Sequence, residues 1–505
     1  MDYICVPVFK ILIVQMIPYQ TLIKIDPNNK KPVYEQIATV FFNLINNGTL
    51  PPGTKLPSSR TLAEMLKFHR NTIVCAYEEL INQGWIISKN KSGYYVNSDI
   101  SIAKFTNENG AESRFPTKLP IPVKFYVPQV VDHKREENDI FLDDGLPDPR
   151  IAPYKALLRE LRTLSDRDYH LKKANYGTSV KSSSLAVALG SHLANSRGIS
   201  PTISNIFITN GAQMGIYLVG KALINPGDVY LVASPGYGIA NQAFIENGAK
   251  IIQVPIDNNG IDVDTVANIC KRENVKGVYV IPHHHYPTTV TLSPDRRIKL
   301  ISLAEEYDFV IIEDDYDYDF HYSSAPHLPM ASYNHHGRVI YIGSISKCFS
   351  PSLRLGFVVG PNDLIDAVKH IRKMIDIRGD TLMEHAVAAL FENGEIERHL
   401  RKSNKLYKER RDYMCGQIDL HLKNFVSYQA PSGGMAIWIQ FFKEYDVSQV
   451  FLLLKRYGIS FNHHIIFNQN EDMNHVRLGF ASLNFPEISR CINAIRKSCI
   501  VLSNK

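Results

Sequence analysis

The chain has 505 residues, 45% hydrophobic, 21% charged and 10% aromatic, which at roughly 150 residues per domain means several domains and a large buried core. Its 29 Gly and 27 Pro exclude collagenous and low-complexity classes. Seven scattered Cys without CxxC spacing argue against a zinc ribbon, a dithiol redox motif or a disulfide scaffold, and fit the reducing cytoplasm.

Residues 1–26 are read as an N-terminal extension. The stretch from Tyr3 to Ile17 is apolar, but Pro7 and Lys10 interrupt it, Asp2 stands where a signal peptide has basic residues, and no small-residue cleavage site follows. It is also shorter than the roughly 20 residues that span a bilayer. No other stretch reaches that length, so no membrane partner is expected.

Residues 27–98 form the first predicted domain. Between Pro27 and Ser98 eight basic residues face four acidic ones, so this segment carries four of the chain's net charge of +6. Pro32 to Asn47 has an apolar stripe at helical spacing, Val33, Ile37, Val40, Phe41, Leu44 and Ile45, with Pro32 in the first turn. After the turn LPPGTKL, Ser58 or Ser59 can cap a short helix, Arg60 to Leu66. A second helix runs from Arg70 to Gln83 and ends at Gly84. Trp85 to Ser88, a turn, and Tyr94 to Val96 read as a hairpin.

Helix, helix, sharp turn, helix and hairpin make a winged helix-turn-helix. Arg70, Asn71 and Thr72 open its recognition helix, where Arg70 can fork onto a guanine. Ser59 and Thr72 suit phosphates, and Lys89 and Lys91 on the hairpin suit the adjacent backbone or groove. Double-stranded DNA is the partner this predicts. The segments PPGTKLPSSRTLAEML, HRNTIVCAYEELINQGW and SGYYV resemble the DNA-binding head of GntR-type regulators. That resemblance makes Arg60, Arg70 and Thr72 operator contacts, with His69 where the family often has Ser or Thr.

Residues 99–139 are read as a linker, aperiodic and Pro-containing, with the charged run His133 to Glu137. From residue 140 to 505 the pattern changes. Short apolar runs, Val229 to Ala233, Ile251 to Pro255, Gly277 to Ile281, Phe309 to Ile312 and Val339 to Ile342, alternate with amphipathic stretches such as Gln213 to Leu223 and Pro294 to Tyr307. This predicts an α/β domain with a mostly parallel sheet, whose chemistry lies beyond the carboxyl ends of the strands.

At those ends stand Asn210-Gly211-Ala212-Gln213, then Tyr237 on a tight turn, Asp314 and Tyr316, and Ser344 and Lys347 followed by Arg354. One cofactor needs all of these. Pyridoxal 5′-phosphate (PLP) requires a lysine for a Schiff base, a carboxylate at its pyridine nitrogen, an aromatic against its ring and phosphate donors. Lys347 is the expected Schiff base, Asp314 the pyridinium partner, Tyr316 a donor to the ring oxygen and Tyr237 the stacking ring. The Ala212 and Gln213 N–H groups, Ser344 and Arg354 are the expected phosphate donors.

The body resembles the fold type I, class I aminotransferase domain, from about Asp143 (DDGLPDPRIAPY) through Arg477 (VRLGFAS), and the joined chain resembles the MocR branch of the GntR regulators. The resemblance implies that Arg477 binds the carboxylate of an amino-acid ligand. It also implies that Tyr176 reaches the neighbouring subunit's phosphate in a head-to-tail homodimer. Three stretches depart from the family pattern. Tyr176 to Lys181 replaces Tyr-Gly-Asp-Pro-x-Gly, and Pro287-Thr288-Thr289 replaces Pro-Thr-Gly. Ile239 stands where regulators sensing 4-aminobutyrate carry an arginine, so a different ligand, or a different hold on it, is expected.

The adjacent histidines, His283 to His285, His335-His336 and His463-His464, lack the spacing of zinc ligands, and no metal is expected. His284 or His285 is expected to line the cofactor site instead. The function these readings predict is transcription regulation. A small-molecule amine or amino acid would form an external aldimine in place of Lys347 and bias the heads on DNA. A working aminotransferase with a regulatory head, and a regulator whose effector is PLP itself, stand as alternatives.

Overall fold

The computed structural model describes residues 17–99, 121, 139–165, 184–322, 326–377, 379–467 and 473–503. The chain divides into two compact units, Met1–Val130 and Val131–Lys505.

In the first unit a short helix α1 (Tyr19–Leu22) precedes α2 (Val33–Asn46), α3 (Ser59–Leu66) and α4 (Arg70–Asn82), and strands β1 (Ile86–Lys89) and β2 (Gly93–Val96) close the unit as an antiparallel hairpin. The apolar stripe of α2 delivers Ile37, Phe41 and Ile45 to a core shared with Leu62, Ile73, Tyr77, Leu80 and Val96. The turn between α3 and α4 is sharp because Lys67 adopts the left-handed conformation at φ 58°. Tyr77 is buried, and its hydroxyl donates to the Pro57 carbonyl at 3.0 Å. One boundary differs from the sequence reading. Tyr19 and Ile23, placed in the extension, are buried in this core, because both are large apolar groups that the three-helix stack leaves room to cover. Residues 1–16 and most of the linker lie outside the described residues.

The second unit opens with β3 (Ile140–Leu142). Its main sheet holds β4 (Ile206–Thr209), β5 (Val229–Ser234), β6 (Lys250–Asp257), β7 (Gly260–Ile261), β8 (Val275–Val280), β9 (Val310–Asp315), β10 (Val339–Ser344) and β11 (Gly356–Val359), in the spatial order β4-β11-β10-β9-β8-β5-β6-β7. Neighbours from β10 to β6 pair in parallel, while β11 runs antiparallel to both its partners. The runs of the sequence reading fall on β5, β6, β8, β9 and β10. Strands β5, β8 and β10 are buried along almost their whole length, as parallel strands covered on both faces must be. A four-stranded antiparallel sheet, Val426–Tyr428, Ala436–Phe441, His475–Gly479 and Ile466–Phe467, forms a second layer near the chain's end. It brings Arg477, buried to 1% exposure, toward the main sheet's carboxyl edge.

Candidate functional site

The carboxyl ends of the parallel strands surround a cavity of about 280 Å³. Ala212, Gln213, Tyr237, Asp314, Tyr316, Ser344, Lys347, Arg354 and Arg477, nine residues expected at the site, all line it. Tyr176 lies outside the described residues.

Asp314 ends β9. Opposite it across the parallel ladder is Ile342, while Tyr279 stands opposite Ile312. The two-residue period of a strand therefore puts Tyr279 and Asp314 on one face. The Tyr279 hydroxyl donates to Asp314 Oδ2 at 2.6 Å, and Asp314 Oδ1 is buried without a partner. Burial, reinforced by Asp315 and Asp317, pushes the carboxyl up to about 7. Glu313 and Asp315 face the other way. Glu313 accepts the N–H groups of Met330 and Ala331, and Asp315 accepts from Tyr341 at 2.8 Å. Of three consecutive acids only Asp314 looks into the cavity.

Lys347 sits three residues beyond β10. Its Nζ donates to the Gly145 carbonyl at 2.6 Å, and burial holds the ammonium below the ordinary lysine range. Gly211 precedes the helix Ala212–Leu223 at φ 87°, and a Cβ there would lie 2.9 Å from Arg354 Nη2. Only glycine gives that turn and lets the guanidinium approach the helix start. A Cβ on Gly356 would lie 2.6 Å from the Ala212 nitrogen. Two glycines thus keep open a cradle made of a helix N-terminus and an arginine, which suits a phosphate dianion. Unpartnered Asp314 Oδ1, the buried lysine and this cradle fit the donor set that PLP requires.

The engagements of Tyr316 and Arg477 were not visible in the sequence. The Tyr316 hydroxyl donates to the His284 carbonyl at 2.7 Å and accepts from Arg477 Nη2 at 3.0 Å. Arg477 Nε donates to the Asp144 carbonyl and Nη1 to the Pro287 carbonyl, both at 2.8 Å. Each terminal nitrogen thereby keeps one N–H, together a fork for a carboxylate. Tyr237 meets Tyr286 edge-on at 5.3 Å, and the Arg477 guanidinium lies over the Tyr286 ring at 4.9 Å. Tyr279, Tyr286 and Gly145 were missed. Strand alternation could have found Tyr279; for the other two the sequence offered no signal.

The histidine expectation is corrected. Neither the His284 nor the His285 side chain lines the cavity. His284 Nδ1 lies 2.9 Å from Asp317 Oδ1 and His285 Nδ1 lies 3.0 Å from Thr288 Oγ1, so each ring engages a neighbour through Nδ1. Among the described residues no three His, Cys, Asp or Glu side chains are grouped to hold a metal.

In the first unit, Arg70, Asn71, Lys89 and Lys91 are exposed. Arg60 is exposed too, 3.7 Å from Glu64 one turn on. His69 caps α4, its Nδ1 accepting from Asn71 N at 3.3 Å. Ser58, not Ser59, caps α3. Ser59 is buried, because as the first helical residue its side chain turns into the head, which removes it from the phosphate contacts expected of it. Thr72 is half-buried. A feature the sequence did not show is Tyr95 between two cations, with Lys89 Nζ at 5.1 Å and Lys55 Nζ at 5.8 Å from its ring.

Residues 155–495 match the aminotransferase class I and II family, and residues 33–96 match the bacterial regulatory proteins of the gntR family. The HTH-type transcriptional regulator YdfD of Bacillus subtilis is 27% identical over 92% of this chain and 95% of that protein. The probable rhizopine catabolism regulatory protein MocR of Rhizobium meliloti is 24% identical over 96% and 97%. The crystal structure of Pyrococcus horikoshii kynurenine aminotransferase, in complex with PMP, has a TM-score of 0.64 at 29% identity. It covers 74% of this chain and 97% of that one.

Proposed function

Because the chain belongs to the aminotransferase class I and II family and carries a gntR-family head before it, the order of parts of the MocR branch of transcriptional regulators, we propose that it binds operator DNA and senses an amine or amino acid at Lys347. The observation that carries this reading is the joining, in one chain, of a DNA-binding head and a cavity in which Lys347, Asp314, Arg354 and Arg477 converge. The reading places the protein in the cytoplasm as a homodimer; among the described residues no helix is long and apolar enough to cross a membrane.

PLP, when bound, supplies an aldehyde that condenses with primary amines and a ring that withdraws electrons. The protein's own groups do the rest. Lys347 presents its amine where burial disfavours the ammonium form. Asp314 would hold a proton at the pyridine nitrogen, and Arg354 with the Ala212 and Gln213 N–H groups and Ser344 would hold the phosphate. Tyr237 would lie against the ring, and Tyr316, whose hydroxyl donates to the His284 carbonyl in this structure, would have to turn that O–H to reach the ring oxygen. The remaining fork of Arg477 takes the ligand's carboxylate. A ligand bound beside Lys347 would change the lysine's partners, starting with the Gly145 carbonyl, and such a difference would bias the conformational equilibrium read by the heads.

Two predictions test this reading. Arg477→Ala is expected to keep the visible absorbance of the bound cofactor and to abolish the absorbance change with amino acids, while simple amines still act. Equal potency of amines and amino acids on the unaltered protein would refute the carboxylate role. Accumulation of a keto acid at a steady rate would show turnover instead of sensing. Arg70→Ala is expected to cost about 1–3 kcal/mol of operator binding if the guanidinium reads a guanine. Titrations on operator and scrambled duplexes at fixed salt check it; equal, negligible losses on both remove Arg70 from base readout.

A further inference from the structure

The segment Asp143-Asp144-Gly145 carries two adjacent acids, and only one has a structural task. Asp143 is buried; its Oδ1 accepts the N–H groups of Gly145 and Leu146 at 2.7 and 2.8 Å, and its Oδ2 takes the Ser482 hydroxyl at 2.5 Å. It shapes the turn that carries the Gly145 carbonyl to Lys347. Asp144 contributes its carbonyl to Arg477 Nε. Its side chain is half-buried and lines the same cavity as Lys347, Tyr286 and Arg477.

Asp144 and Tyr286 line the same cavity, and burial together with the Asp144 charge raises the Tyr286 phenol. Among the described residues no lysine or arginine lies within ion-pair distance of it. Its charge nevertheless reaches the whole site: it favours the charged forms of Lys347 and Arg477 and adds to the burial that raises the Tyr237, Tyr286 and Tyr316 phenols. A carboxylate beside a carboxylate-binding arginine repels an acidic ligand and weakens the hold on a neutral one. Half-buried and in no close ion pair, it attracts a cation that arrives with the ligand.

We propose that Asp144 is an ammonium subsite and that the effector is an amino acid with a second, side-chain amine, its carboxylate on Arg477 and its second ammonium on Asp144. This rests on the reading of the cavity as the effector site and names the effector's class. The ligand's two charges then complement Arg477 and Asp144, which line the same cavity, and discrimination comes from a charge-assisted hydrogen bond that a neutral side chain cannot form.

The experiment is calorimetric titration of the full-length, PLP-loaded protein with L-lysine, L-norleucine and L-glutamate, with cofactor absorbance followed in parallel. L-Norleucine has nearly the length of L-lysine and lacks only the second ammonium. L-Lysine is expected to bind at least about tenfold more tightly than L-norleucine, and L-glutamate least tightly of the three. In Asp144→Asn the lysine-to-norleucine ratio is expected to fall toward one. If L-lysine and L-norleucine bind the unaltered protein equally while both shift the absorbance, the cavity senses amino acids and the Asp144 subsite is wrong. If none of the three shifts the absorbance, the sensing reading falls and takes the subsite with it. A preference for L-lysine that survives unchanged in Asp144→Asn also overturns the proposal.

Discussion

Lys347→Ala is expected to abolish the visible absorbance of lysine-bound cofactor and to uncouple transcription from effector while leaving DNA binding in place. Lys347 Nζ touches the Gly145 carbonyl at 2.6 Å, and among the cavity-lining residues it is the only lysine. No other amine there can take the aldehyde. The phosphate cradle does not depend on it: Gly211, Ala212 and Arg354 keep their positions through backbone geometry and the Arg354 contact with the Asn210 carbonyl at 3.3 Å. Some cofactor should therefore remain, held non-covalently. The head has its own core from Tyr19 to Val96, so operator binding should persist. Absorbance of the purified variant and reporter output with and without L-lysine measure both halves. Full effector response in the variant would sink the mechanism, and loss of all DNA binding would show that covalent cofactor is needed to assemble the regulator.

The difference between what the sequence shows and what it hides has a physical basis. Strand ends were legible because a parallel sheet covered on both faces must be apolar, so the first polar residue after each run marks the carboxyl edge. Asp314, Ser344 and Lys347 could be found that way. Tyr279 was within reach of the same logic, since it too lies near the carboxyl end of an apolar run, although its register with Ile312 is visible only in the fold. The engagements of Arg477 were not. They join Asp144, Pro287 and Tyr316, from three segments up to 333 residues away in the chain, and no local pattern encodes such a meeting. Asp144 was passed over for the same reason: beside Asp143 it reads as one acidic turn, and only the cavity separates their tasks.

The head shows the complementary case. Periodicity and caps placed α2, α3 and α4 within a residue or so, because helix ends are set by local backbone groups seeking partners. The choice between Ser58 and Ser59 as cap was undecidable locally, as either hydroxyl can reach an N–H two or three positions on. Packing decided it by burying Ser59. The same lack of local signal put Tyr19 and Ile23 in an extension, since a four-residue helix has too few positions to show a period.

Asp314→Asn is expected to move cofactor affinity and protein stability in opposite directions. Holding a buried carboxyl at about 7 against 3.8 for the ordinary side chain costs at most about 4 kcal/mol once it is ionised. The sign follows from proton binding. The folded state holds the proton more tightly than the unfolded state, so the penalty is absent below the unfolded pKa, grows as pH rises from there, and is complete above about 7. Asparagine removes it. The introduced amide oxygen can still accept from Tyr279, and the amide NH2 occupies the place of the unpartnered Oδ1. Cofactor-free Asp314→Asn should therefore melt higher than the unaltered cofactor-free protein, with a gap that widens with pH and levels off above about 7. Glu313, also pushed up to about 7, is present in both proteins and cancels. The loaded proteins should rank the other way, because the amide cannot hold a proton at the pyridine nitrogen and the charge-assisted hydrogen bond, worth about 1.5–3 kcal/mol, is lost. Melting curves with and without PLP across this pH range check both signs. A variant that is less stable than the parent in both states would mean that Asp314 serves the fold and not the cofactor.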